Sequence, residues 1–141
     1  MEKKIFSEVL YTSRAHWNLA RQKFMELDLS DGQPKVLYLL YWNEGCVQKK
    51  LAQISQIKES TMTVLLKRME KQGYIYKEPM YVSGGKRAYG IFLTESGKKK
   101  AEQILTVVDE LEEKCFLGFA PEEREQLFLL LDKVKKNLTI E

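Results

Sequence analysis

The side chains best equipped for chemistry lie in one short stretch. Ser60, Thr61 and Thr63 place three hydroxyls in four consecutive positions, and Val64 follows them with a branched apolar side chain. Lys58 precedes the group, and Lys67, Arg68 and Lys71 come after it at steps of three and four. Hydroxyls hydrogen-bond to base edges, a valine offers methyl surface to the 5-methyl of thymine, and cations further along a helix reach phosphates. Bulk near the start of such a helix would hold it out of the major groove. Small polar residues first and cations later is therefore the order the task requires. A solvated helix that began with Ser and Thr would look alike, so a second cationic element matters. Lys86 and Arg87 follow Gly84 and Gly85. A slim loop of this kind carries its charges outward, a shape that fits a minor groove.

The elements that position these residues are legible from periodicity. Met62, Leu65, Leu66 and Met69 give the hydroxyl-bearing segment an inner stripe from about Glu59 to Gln72, stopped by Gly73. A short helix over 48–55, built on Leu51, Ala52 and Ile54, precedes it across a turn at Gln56–Ile57. Tyr74–Glu78 and Ala88–Leu93 are β-rich, and Ser83-Gly84-Gly85-Lys86 between them supplies a hairpin tip. Upstream, Ser30 and Gln33 suit a capping box opening a helix over about 31–43, with Pro34 in its first turn and Gly45 at its end. The first helix, 4–28, carries Phe6, Leu10, Trp17, Ala20, Phe24 and Leu27 on one stripe, and Ile5, Val9, Leu19 and Met25 off it. A helix apolar on more than one face must bury more than one face, and a second protomer is the simplest cover. Thr94 caps a long helix of about 95–116, with Ala101, Ile104, Leu105, Val108, Leu111 and Cys115 on one side. Pro121 suits the first position of a last helix, 121–138, striped by Leu127, Leu130, Leu131, Val134 and Leu138.

Composition narrows the function classes. The chain of 141 residues reads as a single domain, 1–141, without repeats or linkers. Its N-terminal MEKKIFSEVLYTSR lacks the apolar core of a signal peptide, and no apolar run approaches the ~20 residues of a membrane span. A soluble, cytoplasmic protein with no membrane partner is expected. The net charge of +3 is segregated: residues 46–100 hold 12 basic and 4 acidic side chains, net +8, whereas residues 101–141 hold 5 and 10, net −5. Such asymmetry favours a polyanion at one pole. One histidine, His16, excludes an imidazole metal site, and no cofactor is implied. Cys46 and Cys115 read as buried small hydrophobes rather than redox groups. Without paired carboxylates in an apolar setting or a phosphate-cradling glycine loop, the chain does not read as an enzyme.

With these residues in order, the chain resembles the multiple-antibiotic-resistance regulator (MarR) family of winged helix-turn-helix transcription factors, over about Leu27 to Leu138. The resemblance is carried by Leu29-Ser30-x-x-Gln33, Leu51-Ala52, Ser60-Thr61-x-Thr63, Met69-Glu70-x-x-Gly73, Arg87-Ala88, Leu93-Thr94-Glu95-x-Gly97 and Phe119-x-Pro121-Glu122-Glu123. It implies a mainly α fold with a small β-hairpin wing. A DNA-reading head over about 30–94 would be carried by dimerisation helices at about 4–28 and 95–138. It further implies a homodimer on double-stranded DNA with a palindromic operator, most simply a repressor, and an effector site where head meets dimerisation helices. The site residues that follow are Lys58, Ser60, Thr61, Thr63, Val64, Lys67, Arg68, Lys86 and Arg87 for DNA. For a small apolar or aromatic effector they are His16, Trp17, Tyr38 and Trp42, each of which would equally serve as core filling. Three positions depart from the family pattern. Gly85 stands where an acidic residue usually precedes the basic pair, Val64 where arginine is frequent, and Lys58 where a capping Ser or Asp is common. Gly85 and Val64, together with Phe92, which falls in the exposed phase of its strand, give a second reading: a winged-helix protein-interaction module that no longer binds DNA.

Overall fold

The computed structural model describes residues 2–30 and 32–139, without the side chains of Val82 and Ser83. Asp31, where the second helix was expected to begin, lies outside the described residues. Among the described residues six α-helices and one hairpin follow in the order α1 (Ile5–Met25), α2 (Gln33–Trp42), α3 (Gln48–Ser55), α4 (Glu59–Lys71), β1 (Ile75–Val82), β2 (Lys86–Leu93), α5 (Glu95–Cys115) and α6 (Pro121–Leu138). The mainly helical fold with a two-stranded antiparallel wing is the one expected from the sequence. The chain divides into two compact units, residues 1–108 and 109–141.

The larger unit is built around apolar side chains from every one of its elements. Leu29, Val36, Leu37, Leu40, Leu51, Met62, Leu66, Met69, Ile75, Ile91, Leu93, Ala101 and Ile104 are all buried. Burying a side chain of this size stabilises by about 1.5–3 kcal/mol before entropy is counted, so the core positions α3 and α4 with some authority. On α1 only Ala20 and Phe24 are buried, while Ile5, Phe6, Val9, Leu10 and Trp17 remain exposed. On α5 the buried stripe runs through Ala101, Ile104 and Val107; Val107 was absent from the expected stripe, and Leu105 and Val108 beside it are half-buried.

One cap assignment needs correction. Helix α2 starts at Gln33 with Gly32 as its N-cap, and no side chain caps it. Only half of the expected reciprocal pair forms: Gln33 Oε1 accepts the Ser30 N–H at 3.4 Å. The remaining side-chain nitrogen of Gln33 donates instead to Gln72 Oε1 at 2.7 Å, 39 residues away. Thr94 does cap α5, accepting the Gly97 N–H at 3.0 Å and donating to the Gly73 carbonyl at 2.5 Å. Gly97 is obligatory there, because a Cβ would overlap the Tyr74 carbonyl oxygen. The C-terminal end of α1 is held by Lys100, whose ammonium donates to the Leu27 carbonyl at 2.6 Å.

In the smaller unit, the end of α5 turns at Gly118 (φ 81°) into α6. The Ala120 N–H donates to Glu123 Oε1 at 2.8 Å, and Pro121 opens the helix. Arg124 lies 4.5 Å over the Phe116 ring and pairs with Glu112 at 3.1 Å. Leu130, Leu131, Val134 and Leu138 of the α6 stripe are exposed. So is Cys115, against the expectation of burial; Cys46 is half-buried.

Candidate nucleic-acid interface

The hydroxyl-bearing segment sits on α4, whose rotation is fixed by what it buries. Met62, Leu66 and Met69 are fully buried and Leu65 nearly so. The 3.6-residue period then leaves Ser60, Thr61, Val64, Lys67, Arg68 and Lys71 on the outside, where all six are exposed. The helix begins at Lys58, which is extended and offers no side-chain cap; its carbonyl accepts the Met62 N–H at 2.8 Å. Glu59 in the first turn and Arg68 and Lys71 in the last complement the helix dipole.

Helix α3 meets α4 through a turn in which Gln56 adopts a left-handed conformation (φ 57°). The turn is tied by the Ile57 N–H to the Ala52 carbonyl at 3.1 Å. Across it, Gln48 Nε2 donates to Thr63 Oγ1 at 2.7 Å, and Thr63 Oγ1 donates in turn to the Glu59 carbonyl at 3.0 Å. The Thr63 hydroxyl is thus engaged within the protein, whereas those of Ser60 and Thr61 lie on the exposed face. Gln48 had no signal in the sequence, because its partner lies 15 positions away. At the far end, the buried Gln33 holds Gln72 just past the last turn of α4. The outer face lines a groove of about 660 Å³ with Gly32, Ile57, Ser60, Thr61, Val64, Leu65 and Arg68 on its walls.

The wing is longer than its composition suggested. Its register runs from Ile75 opposite Leu93 to Val82 opposite Lys86, so Pro79, Met80 and Tyr81 belong to β1. The α2–α3 connection fastens its base. The Gly45 N–H donates to the Ile91 carbonyl at 2.8 Å, the Ile91 N–H to the Cys46 carbonyl at 3.0 Å, and the Leu93 N–H to Glu44 Oε1 at 3.0 Å. Gly90 permits this approach, since a Cβ there would sit 2.9 Å from the Gly45 carbonyl oxygen. Phe92, expected in the exposed phase, is half-buried and stacked on Tyr76 at 5.5 Å. Lys86 and Arg87 are exposed at the tip. Neither they nor Lys58 and Lys67 enter an ion pair among the described residues.

The residues considered for an effector are dispersed. His16 is exposed on α1, and Trp17 lines a cleft of about 90 Å³ with Arg21, Phe24, Met25, Leu29, Ser30 and Pro34. That cleft takes in neither Tyr38, half-buried on α2, nor Trp42, which is 63% exposed and packs edge-on against Tyr41. Burial pushes the Cys46 thiol above its ordinary value, against the opposing pull of the Lys50 cation, which disfavours the reactive thiolate. Among the described residues no group of His, Cys, Asp or Glu could hold a metal ion.

A buried-cored helix pair with an exposed second helix, followed by a hairpin with a cationic tip, defines a winged helix-turn-helix protein. The family model that matches is that of the MarR family, over residues 29–80. A relative described as the uncharacterized HTH-type transcriptional regulator YybA of Bacillus subtilis (strain 168) is 33% identical over 134 residues, covering 95% of this chain and 88% of the relative. The chain belongs to the MarR family of transcriptional regulators. Among solved structures, a putative MarR family regulator from Listeria monocytogenes complexed with 26mer DNA superposes with a TM-score of 0.84 at 29% identity, covering 97% of this chain and 90% of that one. The S. aureus MepR–DNA complex gives a TM-score of 0.78 at 27% identity, covering 99% and 100%.

Proposed function

We propose that this regulator is a cytoplasmic homodimeric repressor that binds a palindromic operator, with α4 in the major groove and the wing tip in the minor groove. The observation that carries the reading is the outer face of α4. Its hydroxyls and cations project away from a core that fixes the helix, and the cations of the wing tip have no ion-pair partner among the described residues. Two solved relatives held on DNA support DNA as the partner. In this reading residues 30–94 form the head, and helices 4–28 and 95–138 pair with those of a second copy. The exposed apolar side chains of α1 and α6 are the surface available for it. A small apolar or aromatic effector acting where head and pairing helices join completes the proposal. A thermal-shift screen of phenolic and lipophilic compounds tests it, because a ligand that binds only the folded state raises its melting temperature.

A mobility-shift titration against the chain's own upstream DNA tests the central claim. Binding should weaken steeply with salt, since each neutralised phosphate releases counterions. Arg87→Ala should weaken it further and reduce the salt slope by about 1 while leaving the dimer intact. No preference over random duplex refutes the reading. The protein-interaction alternative loses one of its supports with Phe92, which is stacked within the wing rather than presented to a partner.

A further inference from the structure

We infer that α4 recognises its operator through thymine 5-methyl groups, contacted by Val64 and by the methyl of Thr63, and that Gln48 is the positioning residue that keeps the Thr63 hydroxyl proton turned away from the bases. The inference rests on the DNA-binding reading above and names the chemistry of its major-groove contact.

The Thr63 hydroxyl has one proton, and that proton is donated to the Glu59 carbonyl at 3.0 Å. The same oxygen accepts from Gln48 Nε2 at 2.7 Å. Having spent its proton, it has nothing to donate to the acceptors that guanine, adenine and thymine display in the major groove. What Thr63 still offers is its methyl and a single acceptor lone pair. Val64, next along the helix, is 67% exposed and carries no donor or acceptor at all. Both residues are β-branched, so little side-chain freedom is lost when they are pressed against a surface. Ile57 and Leu65 continue this apolar edge along the groove beside Val64.

The major groove displays only one apolar group, the 5-methyl of thymine. Beneath Val64, any other base edge would lose water from a polar atom and gain no partner, and such an unsatisfied group is costly. The arrangement therefore selects thymine by what it lacks as well as by what it touches. Ser60 and Thr61, one turn earlier and exposed, remain available for polar contacts.

The test uses the full chain and a duplex enriched by it from a random-sequence pool. Each thymidine of that duplex is replaced in turn by deoxyuridine, which removes only the 5-methyl. One or two positions per half-site should lose about fourfold in affinity, the equivalent of about 0.8 kcal/mol for one buried methyl. Val64→Ala, or Thr63→Ser, which keeps the hydroxyl and deletes the methyl, should abolish the uracil penalty at its own position with the melting temperature unchanged. Gln48→Met should free the hydroxyl and relax the thymine preference there, a change in specificity that a purely structural loss would not produce. An enriched duplex whose uracil scan is flat overturns this inference and leaves DNA reading intact. Failure to enrich any sequence overturns both.

Discussion

Gly97→Ala should be among the most damaging single-methyl additions in the chain, although helix propensity alone argues the opposite. Alanine is favoured over glycine in a helix by about 0.8–1 kcal/mol. Gly97, however, lies in the first turn of α5, where a Cβ would overlap the Tyr74 carbonyl oxygen, lie 2.9 Å from the carbonyl carbon and press on Leu93 Cδ2 at 3.3 Å. The first two are backbone atoms and cannot rotate away. Relief requires the start of α5 to back off from the base of the wing, stretching the bonds from the Thr94 N–H to the Tyr74 carbonyl and from the Gly97 N–H to Thr94 Oγ1, both 3.0 Å. Two hydrogen bonds at about 0.5–1.5 kcal/mol each, added to about 1–3 kcal/mol for overpacking, outweigh the propensity gain. A net loss of about 3 kcal/mol is expected. The measurement is urea unfolding followed by circular dichroism at fixed protomer concentration, because an oligomer's stability depends on it. Gly118→Ala is the matched control: its φ of 81° makes the backbone unfavourable, yet no atom lies within 4 Å of the added carbon. It should cost only about 1–2 kcal/mol, the left-handed penalty of a non-glycine residue. Wild-type stability for Gly97→Ala, or a larger loss at Gly118, would refute the steric argument.

Other substitutions probe the remaining joints. Gln56→Gly should raise stability by about 0.5–1 kcal/mol by relieving the left-handed residue between α3 and α4, seen as a higher midpoint in the same titration. Lys100→Met should cost about 1–2 kcal/mol by releasing the Leu27 carbonyl at the end of α1, and hydrogen exchange should quicken in the last turn of α1 before anywhere else. Cys46 should alkylate more slowly than free cysteine at pH 8 and approach it only as pH rises past the ordinary thiol range, since burial raises its pKa. Peptide mapping after iodoacetamide decides this, and reaction at the free-thiol rate would count against the burial argument.

The helices were legible because their inner stripes are strongly periodic. Met62, Leu65, Leu66 and Met69 fixed the phase of α4, and with it the exposed side chains of the candidate site. Less visible were features set by distant partners. Composition marked the first strand only as far as Glu78, yet in a hairpin of two strands a proline costs no ladder bond when its nitrogen faces outward, and Pro79 pairs with Tyr89. Ser30 and Gln33 had the spacing of a capping box, but the Gln33 N–H goes to the Ser30 carbonyl rather than to its hydroxyl, and the Gln33 side-chain nitrogen reaches Gln72, a contact that no local window contains. Thr63 carried the same hydroxyl as its neighbours, and only the position of Gln48 distinguishes it. On α5, Val107 and Val108 are chemically equal by sequence, and packing alone chose Val107.

The ties that complete the larger unit span long stretches of chain: Gln33 to Gln72, Glu44 to Leu93, Leu27 to Lys100. During synthesis the chain emerges from its N-terminus. Helix α4 is therefore synthesised before Ile91, Leu93, Ala101 and Ile104, which complete the core of the larger unit. Closing such distant contacts is slow, because the loop entropy must be spent before the contacts return it. A nascent chain that stops before Leu93 holds α4 without the complete wing base and without α5. The larger unit is complete only once the first half of α5 is synthesised, so a product truncated before it lacks the buried Ala101 and Ile104.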